Sequence, residues 1–520
     1  MKPLRNYKLK AVLSDYAYIV GLSDSKIEQI EQELTFNNPQ YANVKKYSKW
    51  ATTKVPQFLT YYEHMEVIKK QILKVPLGYF NAKKLGIENV VDDRVYEPIP
   101  YPEFVLELRD TQKEALSAYM EHCNDTSKLR FNIQLPTGKG KTVLGLALAH
   151  KLKARTLVVV HKDDLVKGWI KDVEKCFDNK VKVGIIKAQK RFVGEQITVA
   201  TIQTLNHLKP VELKALYEHF GLVILDECHH VPSNTFSLVN NFKCKYRLGL
   251  SATPERNDGL THVIKLYFGD FCYTYKSSAD DEDIIPFKVL KRNVPIYYDP
   301  ICKDRAGGYS MSLFDREENF DPDYTLMKSE HRYSKLSTLS RPKLSYANVD
   351  LAVTCHEDVM NYVIGDILNE FMQSHSCVVF FKQVATLQQY YERLLDMGLS
   401  EECIGLYYGG NSKCEEVIQK AENQRKFITL ATYSKATEGT NVQQWEVAFF
   451  VSSLNNGKDV EQAVGRVRRT KPSGVKLNTA LVYDYRYDFV YGLQRHGITR
   501  DARYRKLLNN NKRFSRGFNA

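Results

Sequence analysis

Two series of short apolar runs, each run parted from the next by a helical stretch, constrain this chain more than any other feature. The first, FNIQL, TLVVV, VKVGII, ITVAT, GLVIL and YRLGL, extends from Arg109 to about Tyr275. The second, CVVFF, ITLAT, VAFFVSS and TALVYDY, begins at Cys377 and ends near Tyr485. Runs that are apolar throughout, rather than at alternate positions, belong to strands buried on both faces, and intervening helices supply the crossovers that parallel strands require. The chain is therefore expected to be α/β, with two parallel-sheet domains in tandem. Its 520 residues exceed what one core accommodates, which agrees with several units.

The flanking segments read differently. Residues 1–100 combine a strand-like opening, Tyr16 to Leu22, with a helix over Ser25 to Leu34 whose Ile27, Ile30 and Leu34 share one face. A small N-terminal α+β domain is expected there, followed by a first sheet domain over 101–283. Residues 284–354 show little periodicity, carry Ala306-Gly307-Gly308 and many charges, and are expected to be linker or insertion. The second sheet domain is expected over 355–490. Residues 491–520 are expected to form a basic C-terminal tail, partly helical or disordered, with Arg500, Arg503, Arg505, Lys506, Lys512, Arg513 and Arg516 against Asp501.

Composition narrows the class. Hydrophobic residues at 43% and charged residues at 26% are ordinary for a globular protein and exclude wholesale disorder. No stretch approaches the roughly 18 apolar residues that cross a bilayer, and the opening lacks a signal-peptide pattern, so a cytoplasmic location with no membrane partner is expected. Lys and Arg number 74 against 61 acids, a net charge of +13 that points to a polyanionic partner, nucleic acid before membrane. The 10 cysteines are scattered singly without zinc spacing and read as reduced thiols.

Chemistry concentrates in four segments. Leu135-Pro136-Thr137-Gly138-Lys139-Gly140-Lys141-Thr142 follows the strand FNIQL and precedes the helical run VLGLALAHKL. Strand, glycine loop and helix in that order suit a phosphate chain: Gly138 and Gly140 let backbone N–H groups approach the anion, and the helix N-terminus adds partial positive charge. Lys141 would reach the β- and γ-phosphates and the Thr142 hydroxyl would ligate Mg²⁺. Leu135 stands where the general pattern has its first glycine. The run GLVIL ends in Asp226-Glu227-Cys228-His229, carboxylates at the carboxyl end of a parallel strand. Asp226 would hold Mg²⁺ and Glu227 would orient and deprotonate an attacking water, whereas alone the pair would read as a helix cap. Ser251-Ala252-Thr253 closes the strand YRLGL. Gln462, Arg466 and Arg469 fall within two helical turns, and read alone they would be a solvated basic helix.

Together these residues resemble superfamily 2 helicases. LPTGKGKT is similar to their motif I, DECH to motif II, SAT to motif III, ATYSKATEGTN (431–441) to motif V and QAVGRVRR to motif VI, in the family's order over roughly 109–470. Arg109-Asp110-Thr111-Gln112 resembles the segment ahead of motif I, and Val159-Val160-His161 through Leu165 resembles motif Ia, with His161 in place of the usual Pro. Asn441 stands where many members have Asp. SATPERNDG is similar to the group containing XPB, restriction motors and phage branch-migration helicases of the UvsW type.

The resemblance implies two RecA-like domains that bind ATP and Mg²⁺ and travel 3′ to 5′ along branched, forked or single-stranded DNA, held mainly through phosphates. It implies catalytic roles for Lys141, Glu227, Gln462, Arg466 and Arg469. It implies nucleotide contacts from Arg109, Gln112, Pro136, Thr137, Gly138, Lys139, Gly140, Lys141, Thr142 and Asp226, with Mg²⁺ at Thr142 and Asp226. Ser251, Thr253 and Gly439 are implied in coupling. Trp50, Tyr61 and Tyr62 among Lys45, Lys46, Lys49 and Lys54 read equally as a stacking surface or as the core of a small domain.

Overall fold

The apolar runs become strands and the stretches between them helices. The computed structural model describes residues 8–41, 55–67, 70–125, 129, 131–136, 138–228, 237–252, 261–275, 285–294, 302–303, 309–310, 346–437, 442–469, 477–487 and 491–509. The chain divides into two units, Met1–Lys276 and Ser277–Ala520.

In the first unit, β1 (Lys10–Leu13), β2 (Ala17–Val20), β5 (Glu63–Val67), β6 (Lys70–Val75) and β7 (Asn89–Asp92) form a sheet in the order β5-β6-β2-β1-β7, while β3 (Thr35–Asn37) and β4 (Phe58–Thr60) pair as a ribbon. The helix Asp24–Glu33 lies within this α+β segment. The segment was expected to be a domain of its own, but it shares one hydrophobic core with the sheet that follows. Three contacts weld them. Gly78 N donates to Leu266 O at 2.8 Å, and a Cβ there would stand 2.1 Å from Lys265 O. The buried Arg247 guanidinium donates to the carbonyls of Asp15 (2.9 Å), Asn240 (3.0 Å), Phe242 (3.0 Å) and Tyr267 (3.3 Å). Tyr61 packs edge-on to both Phe36 and Tyr267, which favours its core reading; Trp50 and the lysines 45, 46, 49 and 54 lie outside the described residues.

The main sheet of this unit comprises β8 (Asn132–Gln134), β9 (Thr156–Val160), β10 (Gly184–Lys187), β11 (Lys190–Phe192), β12 (Ile197–Thr201), β13 (Leu222–Asp226), β14 (Tyr246–Ser251) and β15 (Phe271–Thr274). Their order is β11-β10-β12-β9-β13-β14-β8-β15, parallel throughout except for the β10–β11 hairpin. Strands β9, β12, β13 and β14 are buried along their whole length, as strands covered on both faces must be. Neighbours β13, β14 and β8 end side by side, which brings Asp226, Ser251 and the glycine loop to one edge of the sheet.

The second unit holds a wholly parallel sheet of β16 (Phe287–Asn293), β19 (Cys377–Phe381), β20 (Ile404–Tyr407), β21 (Ile428–Thr432), β22 (Val447–Phe450) and β23 (Ala480–Arg486), ordered β16-β23-β22-β19-β21-β20. A short ribbon, β17 (Cys302–Lys303) with β18 (Tyr309–Ser310), precedes β19 in the chain. Two sequence expectations change here. Part of the 284–354 segment is structural: β16 pairs with β23 from Phe287↔Ala480 to Asn293↔Arg486, and Tyr346–Thr354 is a helix. Residues 491–509, expected in a basic tail, form the helix Tyr491–Asn509, with Arg500 only 1% exposed. Its charge is taken up inside the fold: Arg500 Nε donates to Asp484 Oδ1 at 2.8 Å, and Arg486 bridges Asp484 and Asp501 at 2.5 and 2.7 Å. Among the described residues, no helix is long and apolar enough to cross a membrane.

Candidate active site

Gly138 and Gly140 take φ of 91° and 72°, left-handed values that a side chain would resist, and so turn the loop between β8 and the helix Lys141–Leu152. The first turn of that helix offers its N–H groups to an anion. Arg109 and Gln112, at the start of the helix Asp110–His122, hold the loop from behind. Arg109 Nη1 donates to Gly138 O at 3.2 Å, and Gln112 Nε2 donates to Gly140 O at 3.0 Å and Lys139 O at 3.4 Å. Gln112 Oε1 accepts from Arg109 N at 2.9 Å, so in this structure the Gln112 amide is turned to the backbone of the loop. Pro136 O accepts from Lys139 N at 3.3 Å, and Lys139, 1% exposed, lays its ammonium 5.2 Å from the Tyr275 ring centre. Lys139 thus points into the fold and Lys141 to the site.

Lys141 Nζ lies 2.7 Å from Glu227 Oε1, with side-chain exposures of 13% and 12%. Glu227 sits just past β13 at φ 52°, a left-handed turn that carries its carboxylate back over the loop. Asp226 Oδ1 accepts from Glu227 N at 3.0 Å and Oδ2 from Trp169 Nε1 at 3.0 Å. Burial, and then the Glu227 charge, push the Asp226 carboxyl above the ordinary carboxylate range, while Lys141 pulls the other way. Burial pushes the carboxyl of Asp172, on the helix Asp163–Cys176, above its ordinary range, while Lys175 and the neighbouring Thr142 side chain pull the other way. Ser251 is fully buried and its carbonyl accepts from Leu135 N at 3.1 Å, tying β14 to the loop.

In the second unit, Gln462 and Arg466 lie on the helix Gly457–Val467 and Arg469 just beyond it. Arg466 donates to Thr437 O. Burial, and then the positive charge of Arg466, lower the pKa of the Arg469 guanidinium, and its Nε has no hydrogen-bond partner among the described residues. Two cations brought this close make a place for an anion. Thr137, Thr253, Gly439 and His229 lie outside the described residues. Sequence reasoning missed Trp169 and Asp172. The spacing of Leu165, Trp169, Val173 and Cys176 marks an amphipathic helix, and nothing in it tells which sheet end the indole meets.

The oxygens available suit Mg²⁺. That ion takes one or two protein carboxylates plus phosphate oxygens and keeps several waters, and the Asp226 carboxylate with the Thr142 hydroxyl is such a hard donor set. Among the described residues there is no cluster of three or more His, Cys, Asp or Glu able to hold a metal, and an ion shared with phosphate needs none.

A glycine loop, a lysine and an acidic pair at the ends of parallel strands define a P-loop nucleotide hydrolase with a second parallel-sheet unit. Residues 105–256 match the family described as type III restriction enzyme, res subunit. The chain is 26% identical over 420 residues to the DNA 3′-5′ translocase XPB2 of Sulfurisphaera tokodaii, covering 78% of this chain and 89% of the relative. It is 28% identical over 420 residues to probable helicase D10 of Escherichia phage T5, 78% of each chain. It is 24% identical over 470 residues to putative ATP-dependent RNA helicase L396 of Acanthamoeba polyphaga mimivirus, 89% of this chain and 79% of the relative. Among solved structures, a fragment of a putative HsdR subunit of a type I restriction enzyme from Vibrio vulnificus superposes with a TM-score of 0.50 at 18% identity, over 76% of this chain and 66% of that one. The chain is thus similar to helicases and translocases, in keeping with the resemblance that its motifs carry.

Proposed function

We propose that the chain is an ATP-dependent DNA helicase or translocase that remodels branched DNA such as forks and junctions. The observation that carries the ATPase part is the Lys141–Glu227 pair, 2.7 Å apart beside Thr142 and Asp226. Without nucleotide, Lys141 neutralises Glu227. An arriving triphosphate offers Lys141 a stronger anion, and Glu227, released from the ammonium, can accept a proton from the attacking water. Mg²⁺ bound at Thr142 and Asp226 would neutralise charge on the β- and γ-phosphates. The first-turn N–H groups of the 141–152 helix and the loop cradle the phosphates, with Arg109 and Gln112 fixing the loop's shape. Arg466 and Arg469 are proposed to stabilise charge on the transferring phosphoryl group, with Gln462 beside them, an effect worth about 10³ to 10⁵ in rate for such arginines. Ser251 and Thr253 with Gly439 are proposed to couple turnover to motion.

The net charge of +13 and the printed names of the XPB2 and D10 relatives support DNA as the track. Contacts chiefly to phosphates would let a motor move without stalling on sequence. Remodelling a branch breaks one duplex while forming another, so stacking costs of about 1.4 kcal/mol per step nearly cancel and ATP supplies direction. The name of the L396 relative favours a second reading, an RNA helicase. The test compares forked DNA, four-way junctions, blunt duplex and single-stranded RNA as stimulators of ATP hydrolysis. Branched DNA should stimulate most; equal response to all DNAs removes the branch claim, and stronger stimulation by RNA selects the second reading.

A further inference from the structure

The helix Asp163–Cys176 touches both oxygen donors of the candidate cation site. Its buried stripe of Leu165, Val166, Trp169, Val173 and Cys176 packs into the first unit's core. Burial of an aromatic ring accounts for packing at the Trp169 position; the indole adds one directed donor. Trp169 is 2% exposed, and its N–H reaches Asp226 Oδ2 at 3.0 Å while Glu227 N–H takes Oδ1 at 3.0 Å. One donor on each oxygen fixes the plane of the carboxylate and leaves its remaining lone pairs for another partner. Three residues further along the same helix, half-buried Asp172 neighbours the Thr142 side chain, which favours the charged carboxylate. A hydroxyl whose hydrogen is held by a carboxylate turns its lone pairs outward, the orientation a metal ligand needs.

We propose that Trp169 and Asp172 are positioning residues that set the geometry of a divalent-cation site formed by Asp226 and Thr142. The 163–176 helix then governs affinity for the cation more than affinity for the nucleotide. This rests on the ATP-site reading above and deepens it.

The full chain is titrated with Mg²⁺ while binding of a fluorescent, non-hydrolysable ATP analogue is followed by anisotropy, with a parallel measurement in EDTA. Trp169→Phe keeps the ring and loses the donor; Asp172→Ala removes the acceptor and Asp172→Asn keeps one. Trp169→Phe and Asp172→Ala should each raise the half-saturating Mg²⁺ concentration about 10-fold, the usual cost of losing such a partner. Binding in EDTA should stay at the parent's value for both variants, the thermal midpoint in EDTA should stay at the parent's value for Asp172→Ala, and Asp172→Asn should recover most of the loss. Because Asp172 is half-buried, its variants report even where Trp169→Phe fails to fold. Mg²⁺ titrations that superimpose on the parent's, or binding in EDTA that weakens by the same factor, overturn the proposal. A parent chain that binds no analogue under any condition overturns the ATP-site reading instead, a result visible before any variant is made.

Discussion

At the scale of single residues, the roles proposed for Lys141 and Glu227 are separable by substitution. Lys141→Ala removes the cation proposed to meet the phosphates and should abolish ATP turnover while leaving DNA binding mostly intact, checked by phosphate release and by gel shift on the same preparation. Glu227→Gln keeps the shape and cannot take a proton, so hydrolysis should fall by about 10² or more with nucleotide affinity retained. Both residues were legible in the sequence because each belongs to a local spacing, a glycine loop before a helix and an acidic pair after a strand. Trp169 and Asp172 were not legible, since what matters about them is a partner 57 and 30 positions away that only the fold brings near. Gln112 shows a different limit: its place in the chain was readable, and the direction of its amide toward Gly140 O was not.

At the scale of elements, the helix Tyr491–Asn509 is where charge counting misled. Its arginines look solvated in sequence because their acidic partners, Asp484 and Glu461, lie on other elements. Arg500→Leu leaves Asp484 buried with one partner fewer and should destabilise the second unit by about 3–5 kcal/mol, read from its urea midpoint. On the same helix, burial and then the charges of Lys382 and Arg500 push the His496 pKa down to about 4. The folded chain therefore keeps His496 neutral, while the unfolded chain protonates it near its ordinary value of about 6.5. Stability from this group is full above that pH and is lost as pH falls toward 4, by about 3 kcal/mol in all. His496→Gln should flatten that part of the pH profile of the urea midpoint. β16 eluded the sequence reading for a related reason: an edge strand, buried on part of its length, lacks the continuous apolar run that marked the inner strands.

At the scale of the whole molecule, the α/β class and the two tandem sheets were legible because fully buried parallel strands write themselves as unbroken apolar runs. How the α+β segment sits on the first sheet was not, since a change in composition marks a change of architecture and says nothing about packing. Gly78 tests that weld. An added Cβ meets only backbone atoms, Lys265 O at 2.1 Å and Gly269 N at 2.3 Å, so nothing there can swing aside. Gly78→Ala should cost about 3 kcal/mol, with the loss falling on the transition of the first unit.

The chain has three tryptophans, and the two that are described differ sharply in their surroundings. Trp445 is sealed in the second unit with its N–H on the Thr429 hydroxyl oxygen at 3.1 Å. Trp169 leans on an acid. An indole's emission follows the electric field along its ring, so an ion bound at the proposed Asp226 site should shift the emission of Trp169 and leave that of Trp445 unchanged. The emission of Trp169 would then report occupancy of the proposed site without an added label.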